Sequence, residues 1–338
     1  MSKNIAILGA GSWGIALAVM LEKRGCGVRM WEFNEKDAAM LRQRREHPLK
    51  LPGVAIPPAV AITTSIAEAV EGVDYVICVI PAQVTRGALK TLAASAGRGA
   101  CAQVRAWIIA SKGIECGTLK FLSQVLQDEL PEVDGERIVI LSGPSHAEEV
   151  SRGIPTTVVA ASENNELAVE IQNCFSTDFF RIYTNNDVIG VQLCASVKNV
   201  IAIAAGISDG LGFGDNTKGT LLTRGMVEMA RLGICMGARQ STFYGLAGFG
   251  DLITTCISRH SRNRNIGELI GSGLSLEQAL ARMVMVAEGV ETTKSVYALA
   301  QRQNIEMPIT VEVYKTLFEG KSPKAAVRDL MLRQLRPE

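Results

Sequence analysis

A strand, a glycine-rich turn and a helix are written into the first residues of this chain. The run Asn4-Ile-Ala-Ile-Leu8 is apolar and stops abruptly at Gly9-Ala-Gly11-Ser12-Trp13-Gly14. Directly afterwards Ile15, Val19 and Leu21 fall at helical spacing. G-x-G-x-x-G across such a turn gives each glycine its own task. Gly9 permits the sharp turn, Gly11 lets the backbone approach a pyrophosphate, and Gly14 lets helix and strand pack closely. Unpaired N–H groups at the helix start then face the phosphates, and the helix dipole favours their charge. Alone, the pattern is a glycine-rich turn of any α/β protein. With a strand before it and a helix after it, it points to a dinucleotide, NAD or NADP.

Lys3 ahead of this apolar stretch has the outline of a secretory leader. The glycines stand in fingerprint register, however, and no small-residue cleavage site follows, so an unprocessed, soluble, cytoplasmic chain is expected. No uninterrupted apolar run approaches the ~18 residues of a membrane span. At 338 residues, two domains sharing a cleft are expected. The 35 Lys and Arg balance 34 Asp and Glu without a basic stripe, which argues against nucleic-acid or membrane-surface partners. The eight cysteines form no C-x-x-C pair and sit mostly in apolar runs, as small core residues of a reduced compartment. Three scattered histidines give no metal-ligand pattern, so metal-free chemistry is expected.

A second strand reads Gly27-Val-Arg-Met-Trp31, with Glu32 at its end. Roughly 20 residues past the glycines is where a carboxylate holds the adenosine ribose hydroxyls, and it disfavours a 2′-phosphate. Glu32 therefore leans the cofactor toward NAD, although it is also an ordinary charge at a strand end. Arg29, Arg42, Arg44 and Arg45 are cations able to reverse that lean. Leu51-Pro-Gly53 and Pro57-Pro58 mark a loop. Three continuous apolar runs follow, ending at Pro81, at Ser111-Lys112-Gly113 and at Ser142-Gly143-Pro144-Ser145, as in parallel strands buried on both faces. Helical patterns at 84–94 and 119–130 separate them, and strands at 156–161 and 180–183 flank a helix at 166–174. Ligands of open parallel sheets bind beyond the carboxyl ends of strands, so Pro81, Lys112, Gly143 and Ser145 are expected to ring one crevice. Beyond Asp187 the strand pattern gives way to helices at 188–205, 217–236, 266–271, 276–285, 293–303 and 311–318. The expected fold is α/β: a Rossmann-type dinucleotide-binding domain, residues 1–187, then an all-helical substrate domain, residues 188–338.

In that second half, Lys198 and Asn199 interrupt a helix that is apolar nearly all round. Such a helix is buried, and buried lysines are rare unless paired or working; the bland alternative is a lysine snorkelling from the helix edge. Gly248-Phe-Gly250-Asp251 sets a carboxylate in a glycine-rich turn, where by itself it would be a helix cap. Ser258 to Asn265 is a dense run of guanidiniums and amide or hydroxyl donors, suited to a phosphate or to a solvated loop. His260 lies in that run and is expected to be exposed.

Taken in order, G-x-G-S-W-G at 9–14, L-P-G at 51–53, S-K-G at 111–113 and L-S-G-P-S at 141–145 resemble the NAD(P)-dependent glycerol-3-phosphate dehydrogenases. So do K-N at 198–199, A-A-G-I-S-D-G-L at 204–211, G-x-G-D-L at 248–252 and S-R-N at 261–263. The resemblance runs from residue 5 to about 295 and is to the bacterial soluble type rather than the flavin-dependent membrane enzymes. It implies reversible hydride transfer between dihydroxyacetone phosphate and sn-glycerol 3-phosphate, the glycerophospholipid precursor, by a homodimer. By the same resemblance Lys198 is the proton donor and acceptor, Asp251 a carboxylate beside it that contacts substrate, and Lys112 a lysine touching both cofactor and substrate. Ser261, Arg262 and Asn263 match the substrate-phosphate cluster, with Arg262 also facing the cofactor. Gly143, Ser145 and Asn199 are further substrate candidates. Ser12, Trp13, Pro81, Ala147, Val286 and Glu288 are cofactor candidates. Phe33 stands where the family often carries a basic residue or His for a 2′-phosphate, which leaves NAD against NADP open.

Two rivals remain at this level. Another Rossmann-plus-helical dehydrogenase, of β-hydroxyacid or ketopantoate type, would not need the S-R-N cluster. A non-catalytic redox sensor that binds the dinucleotide would not need Lys112, Lys198 or Asp251.

Overall fold

The computed structural model describes residues 2–97, 99–335 and 337. The chain forms two compact units, residues 1–112 with 120–192, and residues 113–119 with 193–338. The main division falls after Gln192, inside one long helix, where the sequence pattern sets it before Val188.

Eight strands make the sheet of the first unit: β1 (Asn4–Leu8), β2 (Gly27–Trp31), β3 (Ala61–Thr63), β4 (Tyr75–Cys78), β5 (Ala106–Ile109), β6 (Ile138–Ser142), β7 (Thr156–Ala161) and β8 (Phe180–Asn185). Their order is β3-β2-β1-β4-β5-β6-β7-β8. Every neighbouring pair is parallel except β6 and β7. The unit's helices are α1 (Ser12–Lys23), α2 (Glu35–Arg44), α3 (Ile66–Val70), α4 (Ala82–Ala96), α5 (Leu122–Glu129), α6 (Ala147–Val150) and α7 (Asn165–Phe175). The antiparallel step has a local cause. At four residues, α6 is too short to carry the chain back along the sheet as a crossover must.

β4 and β5 are buried at every residue, as their unbroken apolar runs require. One sheet face joins Ile7, Tyr75, Ile108 and Leu141 to the apolar side of α1 and to Ile171 and Phe175 of α7. α5 begins at Leu122, three residues later than the apolar pattern suggests. Leu119 takes a left-handed φ of 59° there, and the Phe121 amide donates to the side chain of Gln124, which closes the new helix start.

From residue 193 on, the described secondary structure of the second unit is all helical. Its helices are α8 (Val188–Gly210, entered from the first unit), α9 (Asp215–Cys235), α10 (Gln240–Phe243), α11 (Asp251–Ile257), α12 (Arg262–Gly271), α13 (Leu276–Ala281), α14 (Glu288–Arg302), α15 (Pro308–Phe318) and α16 (Pro323–Met331). A π turn, Leu246–Gly250, leads into α11. α16 is absent from the periodicity reading, although Ser322 caps it and Pro323 opens it, a start signal legible in sequence. α8 has the length and apolarity to cross a bilayer, yet 83% of its most apolar window is buried. It is the core helix of its unit. The segment 113–119 goes with the helices because Ser295 on α14 donates to the Ile114 carbonyl at 2.9 Å and Cys116 lies against the same helix.

Glu228 on α9 shows what burial costs in this unit. Its carboxylate accepts the Ile309 amide at 2.6 Å and the Thr310 amide at 3.2 Å, so it caps α15 from another helix. Burial nevertheless pushes the carboxyl up to about 7, against the opposing pull of those donors. A carboxyl whose folded pKa lies above its unfolded value contributes stability at low pH and loses it as pH rises. Between the ordinary glutamate range and about 7, Glu228 therefore makes the fold less stable with increasing pH, by something on the order of 3 kcal/mol in full. Glu228→Gln removes this group, so the fall in thermal midpoint between pH 5 and pH 8 should be smaller in the variant than in the parent. Equal slopes in the two proteins would show that Glu228 does not titrate in this window.

Candidate functional site

In the first unit the three glycines do three different things. Gly9 has φ 120°, donates to the Trp31 carbonyl at 3.0 Å, and would place a Cβ only 3.0 Å from the Val79 carbonyl oxygen. A Cβ on Gly14 would collide with the Gly9 carbonyl oxygen. A Cβ on Gly11 would meet nothing within 4 Å, so open space lies above the first turn of α1. That space, backed by the amides of a helix N-terminus, fits a pyrophosphate. It also sits where the strand order reverses, since β1 lies between β2 and β4. Ser12 is buried in the turn, and the ring of Trp13 packs 6.4 Å from that of Phe180.

Of the other strand ends, those of β5 and β6 meet at the Gly143 carbonyl. Pro81 follows β4 and precedes α4. Lys112, past the end of β5, donates to the Gly143 carbonyl at 3.2 Å, and Ser145 donates to the same oxygen at 2.9 Å. Gly143 has φ 140°, and a Cβ there would lie 2.9 Å from the backbone of Val158. Ala147 opens α6.

At the end of β2, Glu32 is only 3% exposed. Its Oε1 accepts the Asn34 amide at 3.0 Å, and the Lys50 ammonium stands 3.8 Å from its Oε2. Burial holds the Glu32 carboxyl above the usual range, while the Asn34 amide and Lys50 oppose. Lys50 also reaches Asp37 at 3.2 Å. Three of the four arginines singled out from the sequence are engaged elsewhere. Arg29 donates to the carbonyls of Glu68 and Glu71, Arg42 pairs with Glu35, and Arg45 donates to the Pro58 and Val60 carbonyls. Lys50 is the cation that sequence reasoning missed, and its place just before L-P-G was the available signal. Phe33 is 75% exposed beside Glu32.

In the second unit, Lys198 on α8 is 4% exposed. Its ammonium donates to Asp251 Oδ1 at 2.6 Å and to Thr255 Oγ1 at 2.7 Å, both on α11. The Thr255 hydroxyl donates in turn to the Asp251 carbonyl at 2.6 Å, which leaves its oxygen oriented to accept from lysine. Asp251 is thus not a cap: it is the first residue of α11, 2% exposed, with its carboxylate on the lysine. Thr255 was not singled out from the sequence, although it lies one turn beyond Asp251 and must share its helix face. Asn199 is buried beside Lys198.

The polar run 258–265 is not a solvated loop. Ser261 caps α12 by accepting the Arg264 amide, so Arg262 and Asn263 occupy its first turn. Arg262 donates to the Val286 carbonyl at 2.9 Å, Asn263 Oδ1 accepts the Gly289 amide at 2.9 Å, and Glu288 opens α14. α14 starts earlier than the sequence pattern places it, because Glu288 and Glu291 suit a helix first turn. His260 is half-buried rather than exposed. α8 and α12 meet at backbone distance: Cβ atoms on Gly206 and Gly210 would collide with backbone of α12, and on Gly267 and Gly271 with backbone of α8. Asp209 on α8 clamps the contact, bonding Arg264 at 2.6 Å and Lys218 at 2.6 Å.

Among the described residues no group of three or more His, Cys, Asp or Glu side chains is placed to hold a metal. Buried Cys78 and Cys256 have thiols pushed up to about 12, as inert core residues.

A Rossmann-type sheet with a glycine cradle at its switch point, and a separate helical unit built round a buried lysine–carboxylate pair, place the protein in the Rossmann class with a helical second unit. Residues 4–168 match the family described as NAD-dependent glycerol-3-phosphate dehydrogenase N-terminus, and residues 187–328 match the corresponding C-terminus. The chain is 48% identical over 99% of its length to a Chlorobium phaeobacteroides protein named glycerol-3-phosphate dehydrogenase (NAD(P)+), covering 99% of it. A Citrifermentans bemidjiense protein of the same name is 46% identical over 100% of this chain and 99% of its own. A crystal structure of glycerol-3-phosphate dehydrogenase from Coxiella burnetii superposes with a TM-score of 0.92 at 37% identity, over 98% of this chain and 99% of that one. The chain belongs to the NAD-dependent glycerol-3-phosphate dehydrogenase family.

The glycine geometry separates two variants that a motif alone would treat as equals. Gly11→Ala should fold with a thermal midpoint close to the parent's and lose at least tenfold in NADH affinity. Gly14→Ala should lower the midpoint, because its Cβ has to push back the Gly9 carbonyl. Thermal unfolding and NADH fluorescence titration distinguish them; equal stability losses in both would refute the assignment.

Proposed function

We propose that this chain reduces dihydroxyacetone phosphate reversibly to sn-glycerol 3-phosphate with NADH or NADPH, in the cytoplasm and as a homodimer, supplying glycerophospholipid synthesis. The buried Lys198–Asp251–Thr255 cluster, on helices packed with the Ser261–Asn263 turn in a chain of this family, carries the reading.

The dinucleotide, when bound, supplies or accepts the hydride at its nicotinamide. The chain's own residues do the rest. The cradle of Gly9, Gly11 and Gly14, with Ser12 and Trp13, holds the pyrophosphate. In the first unit, Pro81 and Ala147 line the remainder of the dinucleotide. Ser261, Arg262 and Asn263, at the N-terminus of a ten-residue helix, bind the substrate phosphate. Binding energy from that remote phosphate orients the reacting carbon. Lys198 gives a proton to the carbonyl oxygen as hydride reaches C2, and takes it back in the oxidative direction. Burial favours release of that proton and Asp251 opposes it, so Asp251 orients the ammonium and favours its reprotonation from solvent after a reductive turnover. Asn199, beside Lys198, completes the substrate contacts of the helical unit; Lys112, Gly143 and Ser145 are the first unit's own candidates.

The deciding assay follows NADH and NADPH oxidation with dihydroxyacetone phosphate, dihydroxyacetone and ketopantoate as alternative substrates. Only the first should support rapid turnover. Lys198→Ala should abolish turnover while dinucleotide affinity stays within a few-fold; a near-parental kcat would remove Lys198 from the chemistry. Arg262→Ala loses a charge-assisted phosphate bond of about 1.5–3 kcal/mol, so kcat/KM for dihydroxyacetone phosphate should fall at least roughly tenfold. An unchanged preference for the phosphorylated substrate would place the phosphate elsewhere.

Cofactor preference rests on the edge formed by Glu32 and Lys50. The ammonium offsets the carboxylate, so we propose that NADH is used at least as well as NADPH, with a small ratio between them. Glu32→Ser should move the ratio toward NADPH and Lys50→Ala toward NADH, measured as kcat/KM at one ionic strength because salt screens both effects. A ratio that neither substitution moves would show that this edge does not face the ribose.

A further inference from the structure

Three helices converge on one glycine in the second unit. Gly289 lies in the first turn of α14, and its N–H donates to Asn263 Oδ1 at 2.9 Å. A Cβ on Gly289 would stand 2.8 Å from that same Oδ1 and 2.9 Å from the Asn199 carbonyl oxygen. Both are closer than real Cβ contacts come. Hydrogen at this position is therefore what lets α14 touch α8 at Asn199 and α12 at Asn263 simultaneously. Gly289 and Asn263 are both buried.

The bond has a consequence for the amide's orientation. An asparagine side chain has an accepting end and a donating end, nearly equal in shape. With Oδ1 committed to the Gly289 N–H, the Nδ2 hydrogens are directed away from α14. We infer that Gly289 is a positioning residue that locks the Asn263 amide with its NH2 end toward the substrate phosphate. The inference rests on the phosphate assignment proposed above and adds to it the residue that decides which end of Asn263 is presented. Without the lock, the amide can turn its oxygen toward the phosphate, where two acceptors repel.

Two substitutions at Asn263 read the orientation, and only one of them, Asn263→Asp, keeps the bond to α14. Asn263→Asp keeps an oxygen for the Gly289 amide and replaces the NH2 by a second carboxylate oxygen. Asn263→Ala merely deletes the group. If the lock holds, the KM for dihydroxyacetone phosphate should rise about tenfold in Asn263→Ala and at least tenfold further in Asn263→Asp, with the KM for NADH within twofold in both. Gly289→Ala should raise the same KM at least fivefold while kcat stays within threefold, a split that plain loss of stability does not produce. An Asn263→Asp variant that binds substrate as well as Asn263→Ala overturns the lock, and does so even if Gly289→Ala fails to fold. Inorganic phosphate, as a competitive inhibitor, should lose affinity in the same order. If the parent enzyme uses dihydroxyacetone as readily as its phosphate, the phosphate site itself is misassigned; if the parent prefers the phosphate but the order of variants fails, only the lock is wrong.

Discussion

The backbone contact between α8 and α12 is the constraint on which the helical unit depends. Four glycines face each other across it, two from each helix and four residues apart on each, and side chains at any of them would meet backbone. Residues i and i+4 share one face of a helix, so this spacing yields a continuous smooth strip along each partner. Two helices joined in this way cannot slide to accommodate a change at one end, because the groove holds no side chains that could change rotamer. Lys198 lies two turns before Gly206 on α8, and Ser261 to Asn263 begin α12 just before Gly267. The distance between the lysine and the helix N-terminus is therefore set by backbone. The Asp209–Arg264–Lys218 cluster adds charge-assisted bonds at the same contact.

The proton transfer proposed for Lys198 accounts for an ion pair that burial makes costly. Two ions at 5% and 2% side-chain exposure have lost most of their hydration, and their attraction seldom returns more than that loss. A leucine and a methionine would fill the same space at no such penalty. Most of the molecule follows the cheaper rule: α8 is otherwise apolar from Val191 to Ala205 apart from short polar side chains. A sequence selected for stability alone has no reason to place a lysine there.

The strand–turn–helix at the start was legible because a single local rule governs it. Apolar run, glycine spacing and helical period all come from neighbouring residues, and β1, α1 and β2 follow directly. The strand ends at Pro81, Lys112 and Gly143 were legible for the same reason, as was the change to helices beyond Asp187. What the sequence hid was set by contacts distant along the chain. Lys50 reaches Glu32 only through the folding of an intervening loop, and no spacing rule links them. The run 258–265 looks like a loop by composition, and becomes a cap and first turn because Ser261 accepts an amide three residues on. Asp251 looked like a cap because the π turn before it, Leu246–Gly250, has no sequence signature that separates it from an ordinary glycine turn.

Buried carboxylates elsewhere in the protein show what is particular about Asp251. Asp187 accepts the Gly190 amide at 2.8 Å, and Glu228 accepts two amides at the start of α15. These amide donors are neutral and fixed in place. Asp251 has instead a buried ammonium at 2.6 Å. In the proposed reaction, release of the Lys198 proton would take a counter-charge from that carboxylate in surroundings that screen poorly and raise the energy of the site. The rise would oppose release and favour uptake of a fresh proton from solvent, which returns the pair to the protonated state. Thr255, which donates to the Asp251 carbonyl while accepting from the lysine, gives the ammonium a second fixed partner. A carboxylate served by neutral donors alone has no counter-charge to lose; in the proposed reaction that counter-charge is what would make Lys198 a reversible acid.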